Sequence, residues 1–132
     1  MAKQQGTKTG IYRSKFEARW ASNNPAFEYE QDKLPYIIPA TNHVYHPDFT
    51  VAPNIFIELK GLFSAKDRAK TEMVLEQHPD ITLIFVFLNP NLKLGTRLGT
   101  CLEWCHKRNI PAFGEKDVLG LRNYLKTINN PT

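Results

Sequence analysis

The stretch that decides the fold of this chain spans residues 47–61 and reads PDFTVAPNIFIELKG. Its second half alternates between apolar and charged residues, as expected for a β-strand with one buried face. Because residues two apart in a strand project to the same side, Glu58 and Lys60 point one way and the intervening leucine points into a core. A hairpin turn at residues 52–54 would bring Asp48 back beside Glu58. The stretch therefore predicts two paired strands that gather two carboxylates and one ammonium group at one place.

This trio of side chains has the composition of a divalent metal site next to a phosphate. Mg²⁺ prefers carboxylate oxygens and keeps several waters, so two or three acids suffice without a full protein cage. A neighbouring lysine can orient the attacking water and neutralise charge that develops on the phosphate. Asp48, Glu58 and Lys60 thus match the PD-(D/E)xK nuclease signature, with Glu as the second acid and Leu as x. The competing interpretation is an ordinary half-buried strand with a solvated Glu and Lys.

Around this hairpin, periodicity and turn residues predict alternating strands and helices. Ser14 is a candidate N-cap for the first helix, and Ser64 with Asp67 resembles a capping box at the start of another. Helices are predicted over 15–22, 64–77, 98–108 and 116–128. Strands are predicted over 27–30, 36–38, 44–51, 55–59, 81–88 and 110–113. This order indicates an α/β fold with a mixed central β-sheet flanked by helices, which is the arrangement of restriction-endonuclease-like proteins.

Length and composition indicate a single small domain. The 132 residues fit one hydrophobic core. No apolar run is long enough to span a membrane, and the N-terminus does not read as a secretory signal, so we expect a cytoplasmic protein without membrane association. Cys101 and Cys105 are four apart in a predicted helix, where buried reduced thiols are expected rather than a disulfide.

The positive charge is concentrated at the N-terminus. The formal net charge is +4, and residues 1–19 contain five basic residues against one acid. Residues 1–10 have little apolar content and are predicted to form a flexible basic arm, followed by a single domain over 11–132. Phosphate contacts with DNA are the function that this arm indicates, and a solubilising tail is the alternative. The candidate DNA-binding residues are Lys3, Lys8, Arg13 and Lys15.

Further stretches of the chain carry a resemblance to a known family. They read RSKFE at 13–17, FEYE at 27–30, LPYIIPATNHVYHPDF at 34–49, IELKGL at 57–62 and EQHP at 76–79. With these motifs at matching intervals, the chain resembles the endonuclease I family of short-tailed bacteriophages, over roughly residues 11–88. The resemblance implies a structure-selective Mg²⁺-dependent endodeoxyribonuclease that resolves Holliday junctions and other branched DNA during recombination in the host cytoplasm. We expect Mn²⁺ to substitute for Mg²⁺, and we expect no small-molecule substrate.

The resemblance also implies roles for individual residues. Four side chains are implied to be catalytic: Glu17, Asp48, Glu58 and Lys60. One ion would be held by Asp48, Glu58 and the backbone carbonyl of Leu59, and a second by Glu17 with Asp48. Glu28 falls in the site region of the family, either as an acid that supports the ligands or as a structural acid. From its spacing alone, Glu17 would read as a solvated residue on an amphipathic helix.

An intertwined homodimer is a further implication of the resemblance. The N-terminal helix and strand would cross to the partner over a bridge at residues 38–42, where Pro39 favours an extended connection. Each site would then take Glu17 from one chain and the remaining catalytic residues from the other. Two sites related by a dyad suit symmetric cuts in a four-way junction.

Two other classes of function stay open. Another PD-(D/E)xK nuclease, of the restriction or repair type, would need recognition elements that so short a chain does not evidently contain. A catalytically silent DNA-binding dimer would be free to lose any site residue, yet Asp48, Glu58 and Lys60 are all present. Lys66, Arg68 and Lys70 are further candidates for phosphate contacts, and of these only Lys66 and Lys70 share one face of a predicted helix. A solvated helix face is the slightly favoured alternative.

Overall fold

The computed structural model describes residues 12–30, 32–38 and 41–129. The described helices are α1 (Lys15–Asn23), α2 (Ala65–Gln77), α3 (Cys101–Lys107) and α4 (Val118–Asn129). The described strands are β1 (Glu28–Tyr29), β2 (Leu34–Ile38), β3 (Thr41–Tyr45), β4 (Phe49–Ala52), β5 (Ile55–Lys60), β6 (Thr82–Phe87) and β7 (Ala112–Gly114). The predicted α/β class is therefore confirmed.

A mixed five-stranded sheet forms the centre of the fold. Its strand order is β1-β4-β5-β6-β7. The β1–β4 and β4–β5 pairs are antiparallel, whereas the β5–β6 and β6–β7 pairs are parallel. The predicted apolar strand over 81–88 is confirmed as β6, which lies inside the sheet and is almost fully buried. A strand covered on both faces needs such a nearly continuous apolar run.

The two faces of the sheet build two separate apolar clusters. Phe85 and Phe87 of β6 project to one face, where they pack with Phe63. Ile84, which alternates with them along the strand, projects to the other face and packs in a cluster that includes Trp20 of α1. Helix α1 therefore packs on this second face of the sheet.

Several element boundaries differ from the sequence-based prediction, and two of the differences have a local explanation. The strand predicted over 44–51 is two strands, because β3 ends at Tyr45 and β4 begins at Phe49. Pro47, which lies between them, has no N–H to donate to a ladder. The helix predicted to start at residue 98 starts at Cys101, because Thr100 is its N-cap and closes a capping box with Glu103.

Strands β2 and β3 form a hairpin outside the central sheet. They pair antiparallel, with Ile38 opposite Thr41. The hairpin is held on α2 by Gln77, whose side-chain amide accepts from the Ile37 N–H at 2.7 Å and donates to the Ile37 carbonyl at 2.8 Å. Residues 39 and 40, at the centre of the predicted bridge over 38–42, lie outside the described residues. Exchange of this segment between two chains stays a prediction.

The described helices include none that is both long and apolar enough to cross a membrane. The predicted basic arm at residues 1–10 lies outside the described residues. Cys101 and Cys105 are buried free thiols on α3, as predicted. Burial raises the pKa of the Cys105 thiol to about 12, so this sulfur has little thiolate character.

Candidate active site

The β4–β5 hairpin brings Asp48 beside β5. Phe49 pairs with Ile57 across the hairpin, which leaves Asp48 level with the end of β5 that carries the second acid. The Leu59 N–H donates a hydrogen bond to Oδ2 of Asp48 at 2.9 Å. Asp48 is 4% exposed and Glu58 is 7% exposed, so both acids are buried although each carries a charge in water.

Each oxygen of the Glu58 carboxylate has its own partner. Oε1 accepts a hydrogen bond from the Tyr45 hydroxyl at 2.5 Å. Oε2 lies 3.6 Å from Nζ of Lys60. Glu58 and Lys60 therefore lie on the same side of β5, as their spacing predicted. Tyr45 is buried at the end of β3, three residues before Asp48.

Helix α2 contributes two residues that sequence reasoning did not assign to the site. Asp67 closes the capping box with Ser64, as predicted, and its Oδ1 also lies 3.6 Å from Nζ of Lys60. Nζ of Lys70 lies 5.7 Å from the centre of the Tyr45 ring. Lys70 is half-buried, whereas Lys66 is exposed, and the choice between a solvated helix face and phosphate contact stays open for both. Only the capping box gave a signal for Asp67, and it did not point to Lys60.

Glu17 reaches the site from α1. Ser14 is the N-cap of this helix, and its side chain accepts from the Glu17 N–H. Oε1 of Glu17 accepts hydrogen bonds from the Tyr29 hydroxyl at 2.8 Å and from the Arg13 N–H at 2.9 Å. Glu17 is 9% exposed, so the solvated reading that spacing alone suggested is wrong. The negative charge of Glu17 raises the pKa of the Asp48 carboxyl, so the two acids influence each other within this chain.

Three acids, Asp48, Glu58 and Glu17, lie close enough to raise one another's cost of ionisation. Burial, followed by the charges of Glu58 and Glu17, raises the pKa of Asp48 to about 9. Burial also raises the pKa of Glu58, against the opposing effects of Lys60, the Tyr45 hydrogen bond and Lys70. Neighbouring carboxylates cannot all ionise in a buried place without a compensating cation. The cluster therefore takes up either protons or a positive ion.

The donor set fits a hard divalent cation. Asp48, Glu58 and Glu17 each have one carboxylate oxygen held by a protein donor. Within the described part of the chain, no three His, Cys, Asp or Glu side chains form a ready-made metal-binding group. Mg²⁺ is commonly held by one or two carboxylates together with waters and substrate phosphate, and it does not require such a group.

The other predicted site residues lie at different places. Lys3 and Lys8 fall outside the described residues. Nε of Arg13 forms a salt bridge with Glu30 at 2.8 Å, so its guanidinium is already paired in this chain. Lys15 is exposed in the first turn of α1. Glu28 is exposed in β1, opposite Thr50, and no hydrogen bond or salt bridge described here joins it to the buried acids.

Comparison with known proteins supports the resemblance seen in the sequence. The family model described as phage endonuclease I matches residues 1–127. The chain is 41% identical over 114 residues to Endonuclease I of Escherichia phage T7, covering 83% of this chain and 76% of the relative. It is 39% identical over 105 residues to Endodeoxyribonuclease 1 of Enterobacteria phage T3, covering 77% of this chain and 68% of the relative. The chain belongs to the phage endonuclease I family.

Proposed function

We propose that this protein is a metal-dependent DNA endonuclease that cleaves four-way junctions and other branched DNA. The observation that carries the proposal is the convergence of Asp48, Glu58 and Lys60 at one end of β5. Two relatives named as an endonuclease and an endodeoxyribonuclease support DNA as the substrate. Hydrolysis of a phosphodiester is the reaction that best uses two acids and a lysine in this arrangement.

In this proposal the acids bind Mg²⁺, for which Mn²⁺ substitutes. Asp48, Glu58 and the Leu59 carbonyl hold one position, and Glu17 with Asp48 holds a second. A bound ion supplies Lewis-acid chemistry, since it lowers the pKa of a coordinated water and offsets charge on the phosphate. The raised pKa values of Asp48 and Glu58 mean that metal binding competes with protons.

Lys60 is the residue assigned to the phosphate itself. Its ammonium lies 3.6 Å from the carboxylates of both Glu58 and Asp67. These two carboxylates hold the ammonium beside the proposed metal ligand Glu58. From there it neutralises the charge that grows on the phosphate oxygens during attack and helps to orient the water. Because Lys60 is only 16% exposed, this cation acts in a partly dehydrated place, where its electrostatic effect is stronger than in water.

A homodimer with exchanged N-terminal segments is part of the same proposal. Domain exchange repeats between two chains the contacts that a single chain makes with itself. The contact of Trp20 with Phe49 would then recur across the dimer, whereas Glu17 and Tyr29, which both precede the bridge, would stay in contact within one chain. Two sites related by a dyad would cut two strands of a junction symmetrically. The arm with Lys3 and Lys8, together with Arg13 and Lys15, would contact backbone phosphates.

The decisive experiment compares cleavage of a fixed four-way junction with cleavage of linear duplexes that contain the same four arm sequences. We expect the junction to be cut in Mg²⁺ or Mn²⁺ and to be bound without cleavage in Ca²⁺. The linear duplexes serve as the matched control for sequence, and EDTA serves as the control for the ion.

The other outcomes identify the competing functions. Equal cutting of junction and duplex would favour a general nuclease of the restriction or repair type. Cutting in EDTA would contradict the role of the metal. Tight junction binding without cleavage under all ion conditions would favour a silent DNA-binding protein.

A further inference from the structure

The Tyr45 hydroxyl donates a hydrogen bond to the Glu58 carboxylate, and both side chains are buried within the proposed site. We propose that Tyr45 is a positioning residue, which fixes the Glu58 carboxylate so that its other oxygen is presented to the metal ion. This inference rests on the proposed metal-dependent function, and it assigns a role to a residue that does not itself touch substrate or ion.

The two oxygens of the Glu58 carboxylate have different surroundings. Oε1 is taken by the Tyr45 hydroxyl at 2.5 Å, and Oε2 lies on the side of Lys60 at 3.6 Å. A hydroxyl donor to a carboxylate makes a strong, short, charge-assisted bond. As long as this bond holds, the carboxylate cannot rotate its oxygens past one another. Oε2, on the same side as the catalytic ammonium, is then the oxygen that binds an ion.

Tyr45 is itself held in one orientation. Its side chain is 6% exposed and belongs to the apolar cluster that contains Phe63 and Phe85. The β3 backbone around it pairs with Leu34 of β2, and the Lys70 ammonium lies 5.7 Å from its ring centre. A hydroxyl on a ring packed in this way keeps its direction. Asp48 follows Tyr45 by three residues. The same short segment of chain therefore carries Asp48 and the tyrosine that holds Glu58.

A parallel arrangement occurs at the other end of the site. Oε1 of Glu17 accepts from the Tyr29 hydroxyl at 2.8 Å and from the Arg13 N–H. Oδ2 of Asp48 accepts from the Leu59 N–H. Each acid thus has one oxygen tied to a protein donor. Donors of this kind, behind the ligand atoms of metal sites, typically change metal affinity about tenfold to a hundredfold when they are removed.

A purely structural role for Tyr45 makes a different prediction. If the hydroxyl only satisfied a buried carboxylate, its removal would lower the stability of the metal-free protein and leave the intrinsic affinity for metal unchanged. If it positions Glu58, the affinity for metal falls in protein that is still folded. The two roles therefore separate in a direct binding measurement that needs no DNA and no turnover.

The test is Mn²⁺ binding to the full-length chain by isothermal titration calorimetry, for wild type and Tyr45→Phe. The matched control is Tyr36→Phe, because Tyr36 is 7% exposed in the same hairpin and its described ring contact is with His43 rather than with a site acid. We expect Tyr45→Phe to bind Mn²⁺ about tenfold to a hundredfold more weakly. We expect Tyr36→Phe to bind like wild type. Thermal unfolding in EDTA verifies that each variant is folded.

A double-mutant cycle with Glu58→Gln shows whether Tyr45 acts through Glu58. We expect Tyr45→Phe to cost much less affinity in the Glu58→Gln background, since the group it positions is then altered. A wild-type measurement covers the case in which Tyr45→Phe does not fold. In protein with ¹³Cζ-labelled tyrosine, the Tyr45 resonance should shift with Mg²⁺ and saturate together with a calorimetric titration of wild type with Mg²⁺.

The contrary outcomes are distinct. Unchanged Mn²⁺ affinity in folded Tyr45→Phe would overturn the positioning role. An equal loss of affinity in Tyr36→Phe would overturn it too. So would a Tyr45 resonance that does not shift at saturating Mg²⁺. Wild type that binds no Mn²⁺ but cleaves DNA in EDTA would overturn the metal-dependent function itself, and the role of Tyr45 would fall with it.

Discussion

The backbone N–H of Leu59 donates a hydrogen bond to the Asp48 carboxylate at 2.9 Å. This bond ties the first acid to the strand that carries Glu58 and Lys60 on either side of Leu59. Because the donor belongs to the backbone of β5, a side-chain substitution at Leu59 does not remove it. The separation of the two acids is therefore set by the sheet rather than by flexible side chains.

Replacement of Lys60 should strongly slow DNA cleavage and leave DNA binding near that of wild type. Lys60→Ala removes the ammonium that lies 3.6 Å from Glu58 and Asp67. We expect a loss of about 100-fold to 1000-fold in the single-turnover rate, because one charge-stabilising group is lost at the phosphate. Junction affinity by gel shift in Ca²⁺ should stay near that of wild type. Lys66→Ala, on the exposed part of α2, is the charge-matched control, and a Lys60→Ala rate near wild type would refute the assignment.

Mixing two inactive variants should reveal whether the site is built from two chains. Glu17→Ala and Glu58→Ala each remove one acid and should each be inactive alone. In a heterodimer with exchanged N-terminal segments, one composite site contains both defects and the other contains neither. We therefore expect refolded mixtures to regain nicking of one junction strand, measured on a supercoiled cruciform plasmid. The absence of activity in a heterodimer verified by mass spectrometry would count against the exchange.

Metal-free stability should fall as pH rises. Burial and the neighbouring acids raise the pKa of Asp48 from 3.8 to about 9, so the folded state holds a proton that the unfolded state releases. Stability from this group is complete below the unfolded pKa and is lost as pH rises towards the folded pKa. In EDTA, the urea midpoint at pH about 8.5 should therefore be lower than the midpoint at pH about 5. Asp48→Asn should reduce this difference.

Divalent ions should reverse that trend. Mg²⁺ replaces protons at the acids, so its stabilising effect should grow with pH. Thermal midpoints with and without Mg²⁺ measure this directly across the same pH range. A stabilisation by Mg²⁺ that is independent of pH, or that persists unchanged in Asp48→Asn, would show that the ion binds elsewhere.

Loss of the Gln77 side chain should loosen the β2–β3 hairpin. Gln77→Ala removes two hydrogen bonds to the Ile37 backbone, one accepted and one donated. Since these groups are exposed and water can replace the amide, we expect a loss of only about 1 kcal/mol in the free energy of unfolding. The control is Glu76→Ala, an exposed neighbour on α2. Faster amide hydrogen exchange of Ile37 in Gln77→Ala would locate the effect in the hairpin.

Much of the fold could be read from the sequence because its signals are local. Ser14 and the Ser64–Asp67 pair cap helices within a few residues of their own positions, and both predictions are confirmed. The apolar run of β6 and the two-residue spacing of Glu58 and Lys60 are likewise properties of short segments. Local patterns misplaced the start of α3, where Thr100 is the N-cap, and missed the break at Pro47.

Residue type and spacing in the sequence determined the chemistry that this chain can perform: two acids and a lysine at one end of a buried strand. The tertiary structure alone decided how these groups are held. Tyr45 and Glu58 are 13 positions apart, and Tyr29 and Glu17 are 12 apart. Asp67 reaches Lys60 because the first turn of α2 lies beside the end of β5. No short-range rule specifies such contacts, since they arise when helices and strands pack, and packing depends on the whole apolar core.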